Sequence, residues 1–442
     1  MDSTDFKVKK NSTGFRLVVI GILVLLLLIP SAWISSLVNE REGWKEEAVS
    51  EITSKWAKSQ TIGGPVVTVP YLKKWQDEKG KTQTNLDYIH FLPNKLNIQG
   101  ILNPEIRYRG IYKAILYNSK ITLNGDFSFA KLDSLNVLLE NIQWKDAFLT
   151  VHIPDMRGIK ESIELLWNDQ TFLFEPGIRD GGIFESGISV KIPLSKTELH
   201  KNLFNFAIKI DLNGSEEFNL FPLGRNTTVS LNSKWQHPSF IGAFLPEKRQ
   251  IENSGFSASW KVLDLNRNYP QQWMGTSFNN KIIQSRFGVS LFSPVDHYTK
   301  TSRATKYAIM FIRLTFLVFF MVEVFNKKRI HPIQYLLIGL ALCIFYLLLL
   351  SLSEHIGFEL AYLIAGISII ALISTYVKSS LGGLSIGIIT AGLLTTLYSY
   401  LYILIQNQDY ALLMGSIGLF VIIGIVMHWS RKVDWYKMEL SE

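Results

Sequence analysis

Cysteine is nearly absent from this chain of 442 residues: the single thiol is Cys343, inside an apolar run. A thiolate is unstable there, so the chain has neither a disulfide framework nor a cysteine nucleophile. Other signatures are missing too. There is no Walker-type phosphate loop, no GxGxxG, no HExxH and no GxSxG. The run Gly255-Phe-Ser-Ala-Ser259 ends in Ser where a nucleophile elbow needs Gly. His90, His152, His200, His237 and His297 stand singly, without metal-ligand spacing. The formal net charge is +8, yet segment 38–303 holds 32 Lys+Arg against 28 Asp+Glu, with no basic stripe to track a nucleic-acid backbone. From these absences we expect no enzyme, no cofactor, no metal and no nucleic-acid partner.

What the chain does have is long apolar runs. Six fall at 17–37, 304–325, 333–353, 358–377, 381–405 and 409–429. A bilayer core about 30 Å thick needs roughly 20 such residues per helix. Lys and Arg then orient the spans. Lys7, Lys9, Lys10 and Arg16 precede the first; Lys327, Lys328 and Arg329 separate the second and third. Lys378 lies between the fourth and fifth, and Arg431, Lys432 and Lys437 follow the sixth. The loops 353–359 and 406–409 carry no Lys or Arg. One topology fits: both termini in the cytoplasm and segment 38–303 outside. The first run exceeds the usual 7–15 residues of a signal-peptide core, so it reads as an uncleaved anchor. A cysteine-free exterior suits a bacterial periplasm.

Outside the spans, Trp44, Ala48, Ile52 and Trp56 recur at helical spacing, which predicts an amphipathic stalk helix over 38–60, its apolar stripe packed on the outer domain. From residue 61 the texture becomes short strands: 65–70, 87–92, 108–117, 121–129, 163–167, 171–174, 183–192, 205–212, 217–221, 227–235, 257–263 and 286–292. Asn118-Ser-Lys120 and Asn168-Asp-Gln170 read as hairpin turns. The fold expected is a membrane protein with six transmembrane α-helices and a large β-rich, mostly antiparallel periplasmic domain inserted between helices 1 and 2. Its segments are a tail (1–16), helix 1 (17–37), the stalk (38–60), the β-rich domain (61–303), a five-helix bundle (304–429) and a second tail (430–442). Small residues at Gly383, Gly387, Ala391, Thr395 and Ser399 predict close helix packing within that bundle.

Four polar residues near or within the membrane are candidates for function. Arg313 falls near the centre of the second span, where a charge costs about 3 kcal/mol or more. With no carboxylate at its depth, its partners would be hydroxyls such as Thr390 or Thr395, or headgroups. Glu323 has Lys327 one turn on. Glu354 and His355 follow the third span and could relay a proton or simply end a helix.

Several long runs resemble the CreD family of Gram-negative inner-membrane proteins. They are Phe287-Gly-Val-Ser-Leu-Phe-Ser-Pro-Val-Asp-His-Tyr298, Arg303-Ala-Thr-Lys-Tyr-Ala308, His331-Pro-Ile-Gln-Tyr-Leu-Leu-Ile-Gly339 and Phe345-Tyr-Leu-Leu-Leu-Leu-Ser-Leu-Ser-Glu-His355. Gly64-Pro-Val-Val-Thr-Val-Pro70, Asp155-Met-Arg-Gly-Ile159, Glu175-Pro-Gly177 and Trp235-Gln-His-Pro-Ser-Phe-Ile-Gly242 are similar to it as well. The resemblance implies a role in cell-envelope integrity and an envelope-stress regulon, and it brings no catalytic residues. Glu323, Glu354 and His355 fit the family's pattern; Arg313 departs from it, where a small apolar residue is expected. The expected function is therefore a non-enzymatic inner-membrane protein whose periplasmic domain binds lipid, another envelope protein or cell-wall material. The alternative is a transporter, or a transport accessory, using the polar residues of the bundle.

Overall fold

The computed structural model describes residues 13–76, 81–129, 137–194, 203–291, 297–326, 330–381, 383–407 and 409–431. Lys7, Lys9, Lys10, His200, Lys327, Lys328, Arg329, Lys432 and Lys437 lie outside them. The chain divides into two units: 1–46 with 295–442, and 47–294.

It begins with α1 (Thr13–Leu26) and α2 (Leu28–Trp56). Strands follow: β1 (Gln60–Gln76), β2 (Thr82–Phe91), β3 (Lys95–Arg109), β4 (Tyr112–Phe127), β5 (Phe148–His152), β6 (Glu164–Trp167), β7 (Gln170–Leu173), β8 (Glu175–Pro176) and β9 (Gly187–Lys191). Next come β10 (Phe204–Ser215), β11 (Glu217–Leu220), β12 (Asn226–Ser233), β13 (Pro238–Gly242), β14 (Lys248–Glu252), β15 (Gly255–Leu263) and β16 (Gln272–Met274). A short helix, α3 (Asn279–Gln284), precedes β17 (Phe287–Leu291). Five apolar helices close the chain: α4 (His297–Asn326), α5 (Pro332–Ile356), α6 (Phe358–Leu381), α7 (Leu384–Gln406) and α8 (Ala411–Ser430). Six stretches are long and apolar enough to cross a membrane, α1 and α2 together supplying the first.

In the helical unit, α4 begins at His297 rather than at Ala304, and α6 runs to Leu381, so Lys378 sits on a helix and not in a loop. Only Gly357, at φ +81°, interrupts the helix between α5 and α6. Glu354 and His355 are therefore helical residues. The break at Leu27 follows from Pro30, which has no N–H to offer the Leu26 carbonyl; Leu27 N to Leu23 O (3.0 Å) and Ser31 N to Leu27 O (3.3 Å) keep the ladder on either side. Leu27 is buried over Gly339 of α5, where a Cβ would collide with it. The aromatic centre is Phe345, whose ring lies 4.6 Å from Tyr398 and 5.3 Å from Tyr362. The small-residue stripe of α7 packs only in part. Gly387 is buried against α6, but the packed face then turns through Thr390, Leu394 and Tyr398, leaving Thr395 and Ser399 exposed.

The second unit holds two sheets over one core. The first is ordered β13-β17-β11-β1-β5-β9-β8, with β2 pairing β1 and β16 pairing β2; the second is β14-β15-β12-β3-β4-β10-β6-β7. They are mixed: β1 with β11 and β3 with β12 run parallel, the other described pairs antiparallel. Burial alternates along β10 and β12, as one-faced strands require. The sheets meet through ring contacts, Tyr117 to Phe218 at 6.2 Å and Trp260 to Phe287 at 5.7 Å. The hairpin at Asn168 forms, with that residue at φ +53°. The turn expected at 118–120 does not. Those residues lie inside β4, and the chain reverses at Gly110 (φ +59°), between β3 and β4. Asn118 donates to Asp211 (2.6 Å) and Ser119 to the Leu212 carbonyl (2.8 Å), so their polarity serves cross-strand bonding.

Candidate functional site

Two buried clusters in the helical unit share one composition. In the first, Arg16 of α1 lies 3.2 Å from Glu323 of α4, and Tyr335 of α5 donates to the same carboxylate at 3.0 Å. Glu323 is 5% exposed and Arg16 26%. In the second, Arg41 of α2 lies 3.8 Å from Glu354 of α5, and Tyr298 of α4 donates to it at 2.9 Å. Glu354 is 7% exposed and Arg41 35%, its guanidinium also resting 4.7 Å over the Trp44 ring. Each cluster thus joins α4 and α5 to the first apolar stretch, through α1 in the first and α2 in the second, with one Arg, one Glu and one Tyr. Between the clusters α4 and α5 exchange roles: α4 gives the carboxylate to the first and the phenol to the second.

The spacing follows from helix geometry. Arg16 and Arg41 are 25 residues apart, as are Tyr298 and Glu323. At 1.5 Å per residue that is about 37 Å, longer than a bilayer core of about 30 Å. On α5, Tyr335 and Glu354 are 19 residues, about 28 Å, apart, so one cluster lies toward each end of the apolar spans, where an ion pair can form without crossing the apolar centre. An unpaired carboxylate at such a depth would be costly; an arginine and a phenol satisfy it.

Sequence reasoning singled out both carboxylates and missed their partners. In the sequence Arg16 reads only as an orienting charge, and Lys327, the expected partner of Glu323, lies outside the described residues. His355 does not join Glu354: it is exposed, and no hydrogen bond to it is found among the described residues. Arg313 is exposed on α4 between buried Ile312 and Leu314, with no bond to Thr390 or Thr395. From there its long stem can carry the charge toward headgroups.

In the β-rich unit a polar knot forms at Asp155. Its carboxylate accepts from the Lys58 backbone N–H at 3.0 Å and from Arg157 Nε at 2.8 Å. Arg157 in turn donates to the Ser54 carbonyl at 2.6 Å. The hydrogen bonds from Arg157 hold the carboxyl of Asp155 below its ordinary pKa. Gly158 is needed there, because a Cβ would strike the Asn213 carbonyl and lie 2.8 Å from Gln60 Nε2. The knot anchors the end of α2, where Trp56 donates to the Tyr117 carbonyl at 3.4 Å and Ala57, just beyond the helix, is fully buried. Of the stripe expected to pack on the β-rich domain, Trp56 does so, with the Arg107 guanidinium 4.3 Å over its ring; Ala48 is buried, Ile52 half-buried, and Trp44 is exposed and belongs to the other unit. His90 is buried with Nδ1 3.1 Å from Thr68 Oγ1, and burial lowers its pKa to about 4. No group of three or more metal-ligating side chains occurs among the described residues.

Residues 12–436 match the family model described as inner membrane protein CreD. The chain is 34% identical over 422 residues to the inner membrane protein CreD of Escherichia coli (strain K12), covering 95% of this chain and 93% of that protein. The chain belongs to the CreD family. It is accordingly a multi-pass inner-membrane protein. Both Arg–Glu–Tyr clusters and the Asp155 knot fall within the stretch that matches the CreD model.

Proposed function

We propose that this CreD-family protein maintains the cell envelope without catalysis, its β-rich unit in the periplasm binding another envelope protein, lipid or cell-wall material, with both termini in the cytoplasm. The observation that carries the reading is the pair of Arg–Glu–Tyr clusters. The chain leaves the helical unit through α2 and returns through α4, and these are the segments that the clusters tie to each other and to α5. The two buried carboxylates of the bundle, Glu323 and Glu354, are each met by an arginine and a tyrosine, as a rigid base requires. The positive-inside distribution of Lys and Arg supports the orientation. A transport path through Arg313 has no support from its exposed position.

Complementation tests it. In cells lacking the protein and challenged by envelope stress, the wild-type chain should restore the barrier to a hydrophobic dye. Glu354→Gln with Arg41→Gln should restore it poorly at normal protein level, and His355→Gln fully. Full restoration by the Glu354/Arg41 variant would remove the clusters from the account.

A further inference from the structure

An open groove of about 800 Å³ runs between α6 and α7. Its walls are Leu363, Gly366 and Ile370 on one side and Ala391, Thr395 and Tyr398 on the other. The small residues of α7 that looked made for a neighbouring helix thus line space that no described helix fills. The groove begins at Glu359 and reaches Ser374. That is 15 residues, about 22 Å along the axis, from one membrane boundary to beyond the midplane. Its length and direction are those of an acyl chain, not of a peptide lying on the surface.

The mouth is charged in a specific way. Glu359 lines it, 53% exposed, and its carboxylate is 2.7 Å from Lys300 Nζ, which is 18% exposed. Gln406 Nε2 points to the same carboxylate at 3.5 Å and bonds the Tyr402 hydroxyl at 3.0 Å. A cation and an anion side by side complement a headgroup that carries both signs. An anionic headgroup would meet Glu359 unfavourably.

We propose that this groove is a binding site for one zwitterionic, primary-amine phospholipid. One acyl chain lies along α6 and α7, the ammonium pairs with Glu359 and the phosphate with Lys300. The inference rests on reading the helices as membrane spans and is independent of which side the β-rich unit faces. A primary ammonium donates hydrogen bonds to a carboxylate; a quaternary one cannot.

The test is native mass spectrometry of the full-length protein in detergent, titrated in parallel with palmitoyl-oleoyl phosphatidylethanolamine, phosphatidylglycerol and phosphatidylcholine. The ethanolamine lipid should be retained about tenfold better than either, the factor one charge-assisted hydrogen bond supplies. A Cβ on Gly366 meets nothing within 4 Å, so the side chain of Gly366→Phe leaves the backbone unhindered and projects into the groove that Gly366 lines. It should lower retention about tenfold while leaving the thermal transition unchanged. Glu359→Gln should abolish the preference for ethanolamine over glycerol headgroups. Equal retention of the three lipids by the wild type, or wild-type retention by Gly366→Phe, overturns the proposal.

Discussion

Removing Arg16 should destabilise the helical unit through Glu323, and the size of the effect can be bounded. The pair lies at 3.2 Å with Glu323 5% exposed. At an effective dielectric of about 20 the Coulomb attraction would be about 5 kcal/mol, an upper bound before desolvation. Breaking a buried pair by removing one partner costs about 3–5 kcal/mol. Arg16 is 26% exposed, which screens the interaction. Tyr335 still donates to the carboxylate at 3.0 Å after Arg16 is gone. Polar contacts between membrane helices average about 0.6 kcal/mol and reach about 1.7. These terms place Arg16→Met near 2 kcal/mol. Glu323→Gln should cost a similar amount, because it leaves the guanidinium without an anion. The double variant should cost less than the sum, with a coupling of about 1–2 kcal/mol. Equilibrium unfolding in detergent, followed for wild type, both singles and the double, measures it. Effects that add to within about 0.5 kcal/mol would refute the cluster as an energetic unit.

Three further outcomes are expected. A soluble chain covering 47–291 should unfold cooperatively, and one covering 60–291 should be less stable by about 2–4 kcal/mol, since it lacks Trp56, Ala57 and the Lys58 partner of Asp155; equal stability would show that the last turn of α2 adds nothing. Asp155→Ala in the longer chain should cost about 2 kcal/mol by leaving the Lys58 N–H unpaired, read as a lower urea midpoint at unchanged slope. His90 titrates near 4 when folded, below its ordinary 6.5, so the unfolded chain binds more protons in between. Stability is therefore full above pH 6.5 and lost as pH falls toward 4, by about 2 kcal/mol between pH 7.5 and 5. Burial lowers His152 as well and adds to the same loss. His90→Gln should flatten this dependence, and an unchanged slope would exclude His90 as its source.

The apolar runs were legible because length and composition alone identify a span. Their ends were not, because helix continues through polar residues: α4 starts at His297, and Glu354 is helical. β3 escaped notice although Leu96 and Ile98 alternate with Asn97 and Gln99 as in a strand, because Gly100, Asn103 and Pro104 punctuate the run with turn residues. Asn118-Ser-Lys120 looked like a turn because its partners, Asp211 and Leu212, lie about 90 residues away in sequence. The same limit hid the clusters. Glu323 and Glu354 stood out as ionisable groups in apolar surroundings, yet Arg16 is 307 residues from Glu323. Only the rotation of each helix about its axis decides who faces whom. That rotation also turned Arg313 and His355 outward and left the α7 stripe lining a groove.

The orientation of the β-rich unit is the claim on which the functional reading depends most. Cys343 is buried and can be replaced by Ala, leaving a chain ready for single reporter thiols. Asp169 is exposed in the β6–β7 turn, and Arg431 is exposed after α8. With a membrane-impermeant maleimide added to intact spheroplasts, Asp169→Cys should label fully and Arg431→Cys only after the membrane is opened. Labelling of Arg431→Cys from outside, with Asp169→Cys protected until lysis, would contradict the account.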